Sequence, residues 1–340
     1  MLICSTYFSS ISRKLLFCSR RKFSSKCRNS VMGSENLRLI DKRQRAGFRL
    51  CNVSGCKIDV MEIHATDPKF HVLFIPGNPG VISFYVDFLE SLYYQLEGTA
   101  SVTAISHIAQ TEKNWENGRL FSLQEQTDHK INFIEHELQD VEVPIVLVGH
   151  SIGSYISLDI FKRFQEKVTY CICLYPFLAV NTKSSTQTII KKIAASRILC
   201  TGVSSIVAVL GLLPAWISRI LVKNSVGNSW CPSAVEALCT HVLRYHTVQN
   251  MLYMAMTEFE KLSEVPDWSF MREKKSQMAF LFGVDDHWGP LDLYEEISIK
   301  VPGAVLAVER GGYTHAFSCT EAGSTWVAQH VSGSIKNYFS

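Results

Sequence analysis

Residues 149–153 read Gly-His-Ser-Ile-Gly, and the apolar run Ile145-Val146-Leu147-Val148 leads into them. A serine at a sharp strand-to-helix turn presents its hydroxyl as a nucleophile. Gly149 and Gly153 flank Ser151 at two residues on either side, where a Cβ would collide with the strand or the helix. After the turn, Ser154 to Phe164 carries Ile156, Ile160, Phe161 and Phe164 at helical spacing. The first N–H groups of that helix would face any oxyanion formed beside Ser151.

A serine hydroxyl is a weak nucleophile at neutral pH and needs a base, which in turn needs a carboxylate to orient it. His315 lies in the small-residue loop Gly311-Gly312-Tyr313-Thr314-His315-Ala316-Phe317, after the last expected strand. The loop Gly283-Val284-Asp285-Asp286 follows the strand before it. The order Ser, Asp, His is that of a nucleophile elbow on a doubly wound sheet. Adjacent residues at a strand end point in opposite directions, so only one aspartate can face the histidine. The Gly283-x-x-Asp spacing selects Asp286, and the other reading of the pair is a solvated turn. His330 falls within the final helix, as a packing or surface residue. Charge developing on a substrate carbonyl needs hydrogen-bond donors. The loop Pro76-Gly77-Asn78-Pro79-Gly80 follows the first central strand. Its Asn78 N–H and that of Ile152 form the natural oxyanion pair, because Pro79 has no N–H to give.

These residues need a sheet to carry them. Short apolar runs alternate with helical periodicity from about residue 70, which predicts a mostly parallel sheet with helices on both faces. The expected strands are His71–Pro76, Ser101–Ser106, Ile145–Gly149, Val168–Tyr175, Gln277–Gly283 and Ala304–Val308. One or two antiparallel edge strands are expected within Phe48–Ile63. Ser122–Gln139 and Ser324–Asn337 have the periodicity of helices. Residues 176–275 contain no clear strand and read as a helical cap inserted between the core segments 48–175 and 276–338.

The chain has 340 residues, 47% hydrophobic and 19% charged, which excludes a disordered protein. Seven of its 34 Lys and Arg residues lie in residues 1–34, which contain no acid. The remaining 27 basic residues face 31 acidic ones, so nothing argues for nucleic-acid binding. The Ser/Arg-rich stretch 1–34 has the composition of a mitochondrial or plastid transit peptide, or precedes an alternative start at Met32. Eleven scattered cysteines form no zinc-type spacing and no disulfide framework. They favour a reducing compartment. No cofactor or metal is expected.

The motifs together resemble the lipid droplet-associated hydrolases. The resemblance rests on Pro76-Gly77-Asn78-Pro79-Gly80 with Phe84-Tyr85, Ile105-Ser106-His107, and Phe121-Ser122-Leu123-Gln124 with Gln126 and His129-Lys130. It rests equally on Gly149-His150-Ser151-Ile152-Gly153 with Tyr155, on Gly283-x-x-Asp286-x-Trp288-x-Pro290, and on His315-Ala316-Phe317. It covers about residues 48–338. It implies an α/β-hydrolase fold, a Ser151/Asp286/His315 triad, attachment to lipid droplets and endoplasmic reticulum, and a lipid ester, such as a sterol ester, as substrate. Two alternatives stay open. One is a low-activity or non-catalytic droplet protein that promotes lipid storage or tethers membranes. The other is an acyltransferase or thioesterase using the same triad.

Residues Ile198 to Ser218 carry no charge. At about 1.5 Å per residue they could cross the roughly 30 Å hydrocarbon core of a bilayer. Ser151 precedes the stretch, however, and Asp286 and His315 follow it. A single crossing would place nucleophile and base on opposite sides. The basic flanks Lys191, Lys192, Arg197, Arg219 and Lys223, with Pro214 and Trp216 between them, instead fit a monotopic element over 198–222. It would dip into a droplet monolayer or a membrane from the cytosolic face. The other reading of the stretch is a buried cap helix over the site.

Overall fold

The computed structural model describes residues 46–226 and 229–340, so the expectations for residues 1–34 and Met32 lie outside the described residues. The first two strands, β1 (Gly47–Val53) and β2 (Cys56–Ile63), form an antiparallel hairpin. Its two-residue turn, Ser54-Gly55, has φ of 52° and 84°. That left-handed pair matches the twist of the strands it joins.

From here strands and helices alternate. β3 (Phe70–Ile75) leads to α1 (Val86–Gln95), β4 (Ala100–Ile105) to α2 (Leu123–Glu137), and β5 (Ile145–His150) to α3 (Ile152–Arg163). Among the described residues, β6 (Val168–Leu174) is followed by six α-helices. These are α4 (Ser185–Ala195), α5 (Arg197–Gly211), α6 (Ala215–Val226), α7 (Pro232–Ala237), α8 (Tyr245–Lys261) and α9 (Trp268–Glu273). The sheet then resumes with β7 (Met278–Gly283), α10 (Leu291–Lys300), β8 (Val305–Glu309) and the closing helix α11 (Glu321–Phe339).

One eight-stranded sheet results, in the order β1-β2-β4-β3-β5-β6-β7-β8. β2 is antiparallel to both its neighbours, and every pair from β4 to β8 is parallel. Every residue of β3, β4, β5 and β7 is buried. Strands covered on both faces bury both sets of side chains, which is why they read as unbroken apolar runs. The chain leaves β3 to one side for β4 and returns to its other side for β5. The carboxyl ends of β3 and β5 are therefore the topological switch point, where open α/β sheets bind ligands.

Strand limits differ from the expected ones by a residue or so, and the expected Phe48–Ile63 segment resolves into two strands. The closing helix begins at Glu321 rather than Ser324, because the Thr320 hydroxyl caps it by accepting from Gly323 N–H at 3.1 Å. Helix α1 has no counterpart among the expected elements.

Within the six-helix insertion, α4 and α5 meet at a bend of 99°. α5 and α6 are separated at Leu212–Pro214, and the Pro214 carbonyl opens α6 by accepting from Ile217 and Ser218 N–H. Proline is tolerated there because the first helical N–H groups have no partner to lose. Among the described residues no single helix is long and apolar enough to cross a membrane.

The resemblance motif His129-Lys130 lies on α2. The Lys130 ammonium is fully buried, donating to Ser106 O at 2.7 Å and facing Gln126 Oε1 at 3.4 Å. Burial pulls it down to about 7. Between there and the ordinary value near 10.4, the unfolded chain holds a proton that the folded chain lacks. Stability attributable to this group therefore rises as pH increases through that window. Thermal unfolding of Lys130→Met and the parent should show the difference in Tm moving toward the variant as pH falls from 10 to 7. A pH-independent difference would contradict it.

Candidate active site

The elbow is built where β5 meets α3. Ser151 sits at φ 56° and ψ −123°, a conformation that costs an L-residue about 1–3 kcal/mol. Neighbouring backbone holds it there. Ser151 N–H donates to Leu174 O at 2.9 Å, while Ser151 O accepts from Ser154 N–H at 3.0 Å and Phe177 N–H at 3.1 Å. The flanking glycines are sterically required. A Cβ on Gly149 would strike the Gly153 carbonyl and the Ser157 hydroxyl, and one on Gly153 would strike the carbonyls of Ile75 and Pro76. Ile152 opens α3, so its N–H is among those that a helix leaves without an intrahelical partner.

The loop after β3 runs directly against this turn. A Cβ on Gly77 would lie 3.0 Å from Ser151 Cβ and 3.1 Å from His150 Nδ1. Its far end is pinned by the core: Gly80 N–H donates to Gln110 Oε1 at 2.6 Å, and Gly80 O accepts from His107 N–H at 3.0 Å. Gly77 N–H donates to the Tyr85 hydroxyl at 3.2 Å, which leaves Asn78 as the next N–H along the loop.

Asp286 and His315 meet on the other side. Asp286 Oδ2 accepts from His315 Nδ1–H at 2.8 Å, and Oδ1 accepts from Trp288 N–H at 2.9 Å. With Nδ1 as the donor, Nε2 is the basic nitrogen of the ring. Asp286 is buried and Asp285 exposed, so the two adjacent aspartates face different surroundings. The Trp288 ring lies 6.2 Å from that of His315 and packs against Phe177 and Phe259. His330 stands apart, stacked on Trp326 in α11.

One residue ties these loops together. His150 Nε2 lies 3.0 Å from the His315 carbonyl, and its Nδ1 lies 2.8 Å from the Tyr85 hydroxyl. A carbonyl can only accept, so Nε2 carries the hydrogen. In the neutral ring Nδ1 then accepts from Tyr85 O–H. Burial, reinforced by the nearby His315, pushes His150 well below the usual imidazole range and keeps it neutral. The chain of donors runs from Gly77 N–H through Tyr85 and His150 to the backbone of His315, so it spans the loops after β3, β5 and β8. Tyr85 and His150 stand in the sequence motifs, but nothing in their spacing gave either a role. Among the described residues no cluster of His, Cys, Asp or Glu is arranged to hold a metal ion.

The steric account of the elbow separates two glycines of similar helical context. Gly153→Ala forces a methyl group onto two carbonyl oxygens and is expected to lower stability by about 3 kcal/mol or more. Gly333 in α11 has open space where a Cβ would go. Gly333→Ala is expected to raise stability by up to about 1 kcal/mol. Chemical denaturation of both variants checks this, and equal effects would refute the packing argument.

A family model described as lipid-droplet associated hydrolase matches residues 68–318. The lipid droplet-associated hydrolase of Dictyostelium discoideum is 28% identical over 263 residues, covering 74% of this chain and 83% of that protein. The protein of the same name from Homo sapiens is 27% identical over 277 residues, covering 74% and 80%. Among solved structures, an epoxide hydrolase from Vigna radiata superposes with a TM-score of 0.63 at 15% identity, covering 87% of this chain and all of that one. A peroxisomal α/β-hydrolase from Saccharomyces cerevisiae gives 0.62 at 13% identity, covering 86% and 89%. The structures establish the α/β-hydrolase fold, and the family match establishes that the chain belongs to the lipid droplet-associated hydrolase family.

Proposed function

We propose that this hydrolase cleaves carboxylic esters of lipids, sterol esters or related neutral lipids, at the surface of lipid droplets. The observation that carries the reading is the Asp286–His315 hydrogen bond of 2.8 Å, on loops tied through His150 to the Ser151 elbow. Ser151 Oγ attacks the ester carbonyl as His315 Nε2 takes its proton, and the oxyanion is met by the N–H groups of Asn78 and Ile152. Collapse breaks the acyl–oxygen bond, and His315 returns the proton to the departing alcohol. Water, deprotonated by the same nitrogen, then attacks the acyl-enzyme and releases the acid and free Ser151. Asp286 holds the imidazole in the required tautomer and stabilises its cation throughout.

The lipid part of the proposal is supported by the outer face of the insertion. Ile198, Ile206, Val209, Leu212, Trp216 and Ile220 of α5, α6 and their junction are all more than half exposed. Exposed apolar side chains gathered on one element mark a surface for lipid or for a partner. The inner face of α5 is small and packed, with Cys200 and Ser204 buried. A helix with one face committed to protein and the other to exposed aliphatic side chains and a tryptophan suits the boundary between water and a lipid monolayer. Entry from the cytosolic face, on droplets or endoplasmic reticulum, follows from the basic flanks.

Purified Ser151→Ala assayed on short acyl esters should lose turnover by about 10³-fold or more. The same variant should still reach droplets in cells, whereas deletion of residues 198–222 should release the chain to the cytosol. Unchanged turnover in Ser151→Ala would overturn the catalytic reading. Rescue of a lipid-storage defect by that variant would favour the storage or tethering role, and ester products with an added alcohol would favour acyl transfer. Droplet location of the deleted form would overturn the attachment.

A further inference from the structure

Glu258 lies on α8 within the insertion, 3% exposed. The only side chain that hydrogen-bonds it among the described residues is Asn78, whose Nδ2 donates to Glu258 Oε1 at 3.0 Å. The second hydrogen of the same amide goes to Met251 O, about two turns earlier on α8, at 2.9 Å. Both donors of the Asn78 side chain are thus committed to one helix. A buried carboxyl without an ion pair is costly to a fold. Burial pushes this one up to about 8, with the Asn78 amide drawing it the other way. An apolar side chain of similar size would fill the space at less cost.

The position is what distinguishes it. The loop carrying the oxyanion donor is anchored at Gly80 by Gln110 and His107, both from the segment after β4. At Gly77 it is anchored by Tyr85. Asn78 lies between these anchors, and its side chain turns away from the core to the insertion. The peptide unit that would point N–H at the oxyanion is therefore held from above by α8. A donor misplaced by an ångström loses much of its value in the transition state, where the charge is greatest.

We propose that Glu258 is a positioning residue for the oxyanion hole: by accepting from Asn78 it fixes the Asn78 backbone N–H, so that α8 completes a site otherwise built by the core. The proposal rests on the reading of Ser151 as nucleophile and Asn78 as oxyanion donor. Glu258 touches no reacting atom and acts only through Asn78.

Two substitutions separate positioning from mere packing. Glu258→Gln keeps an accepting oxygen in a neutral group and should hold kcat within about twofold of the parent. Glu258→Leu keeps the volume and removes the acceptor. It should lower kcat by about tenfold or more, since removing an oxyanion donor outright costs about 10²–10³. KM should stay within about twofold, and Tm should be no lower than that of the parent. The rate of Ser151 labelling by a fluorophosphonate should fall in parallel with kcat, because the phosphonyl oxygen uses the same donors. Undiminished kcat in Glu258→Leu overturns the proposal, as does a loss matched by lower Tm and higher KM. Equal loss in Glu258→Gln overturns it too. Absence of Ser151-dependent turnover in the parent, measured beside Ser151→Ala, removes the hydrolase reading itself and this proposal with it.

Discussion

The strained backbone of Ser151 sets conditions that the surrounding structure has to satisfy. At φ 56° and ψ −123° the residue is held by three backbone hydrogen bonds, to Leu174, Ser154 and Phe177. The turn is possible only because Gly149 and Gly153 leave room for neighbouring carbonyls. Those contacts require β3, β5 and β6 to lie side by side, which the sheet order provides. Once the turn is formed, His150 reaches the backbone of His315 and the hydroxyl of Tyr85. The residue beside Ser151 thus sets the spacing between loops that are far apart in sequence.

The insertion between β6 and β7 is constrained by the same geometry. β6 and β7 are paired in one sheet, so the chain must come back from its apolar segment to the side it left. That argument holds whatever chemistry Ser151 performs. Helix α8 then connects the two faces of the insertion. Toward solvent it carries α5, through the Gln249–Ser204 hydrogen bond of 3.1 Å. Toward the core it holds the Asn78 side chain. The exposed aliphatic face and the loop beside Ser151 are attached to one rigid element.

Much of this was legible in the sequence, for identifiable reasons. Strands buried on both faces appear as continuous apolar runs, and the required glycines flank Ser151, so the elbow, β5 and α3 could be located. Chain order and the Gly283 spacing pointed to His315 and Asp286, which the fold brings within hydrogen-bond distance of each other. Strand ends shifted by a residue, because hydrogen-bond registry rather than hydropathy decides where a strand stops. The start of α11 depends on a threonine cap within an unpatterned run. The roles of Tyr85 and His150 depend on which strands are neighbours, and local spacing carries no such information. Glu258 was not legible at all. A lone glutamate among Thr257, Phe259, Glu260 and Lys261 reads as solvated, and only the packed insertion buries it.

We propose that the loops after β3, β5, β7 and β8 form one serine-hydrolase site. A crystal structure of the protein after reaction with an alkylphosphonate ester tests it most directly. Phosphorus is expected bonded to Ser151 Oγ, with the phosphonyl oxygen within hydrogen-bond distance of the Asn78 and Ile152 N–H groups and His315 Nε2 facing the leaving-group position. An adduct at another residue would contradict it, as would a phosphonyl oxygen turned away from both N–H groups.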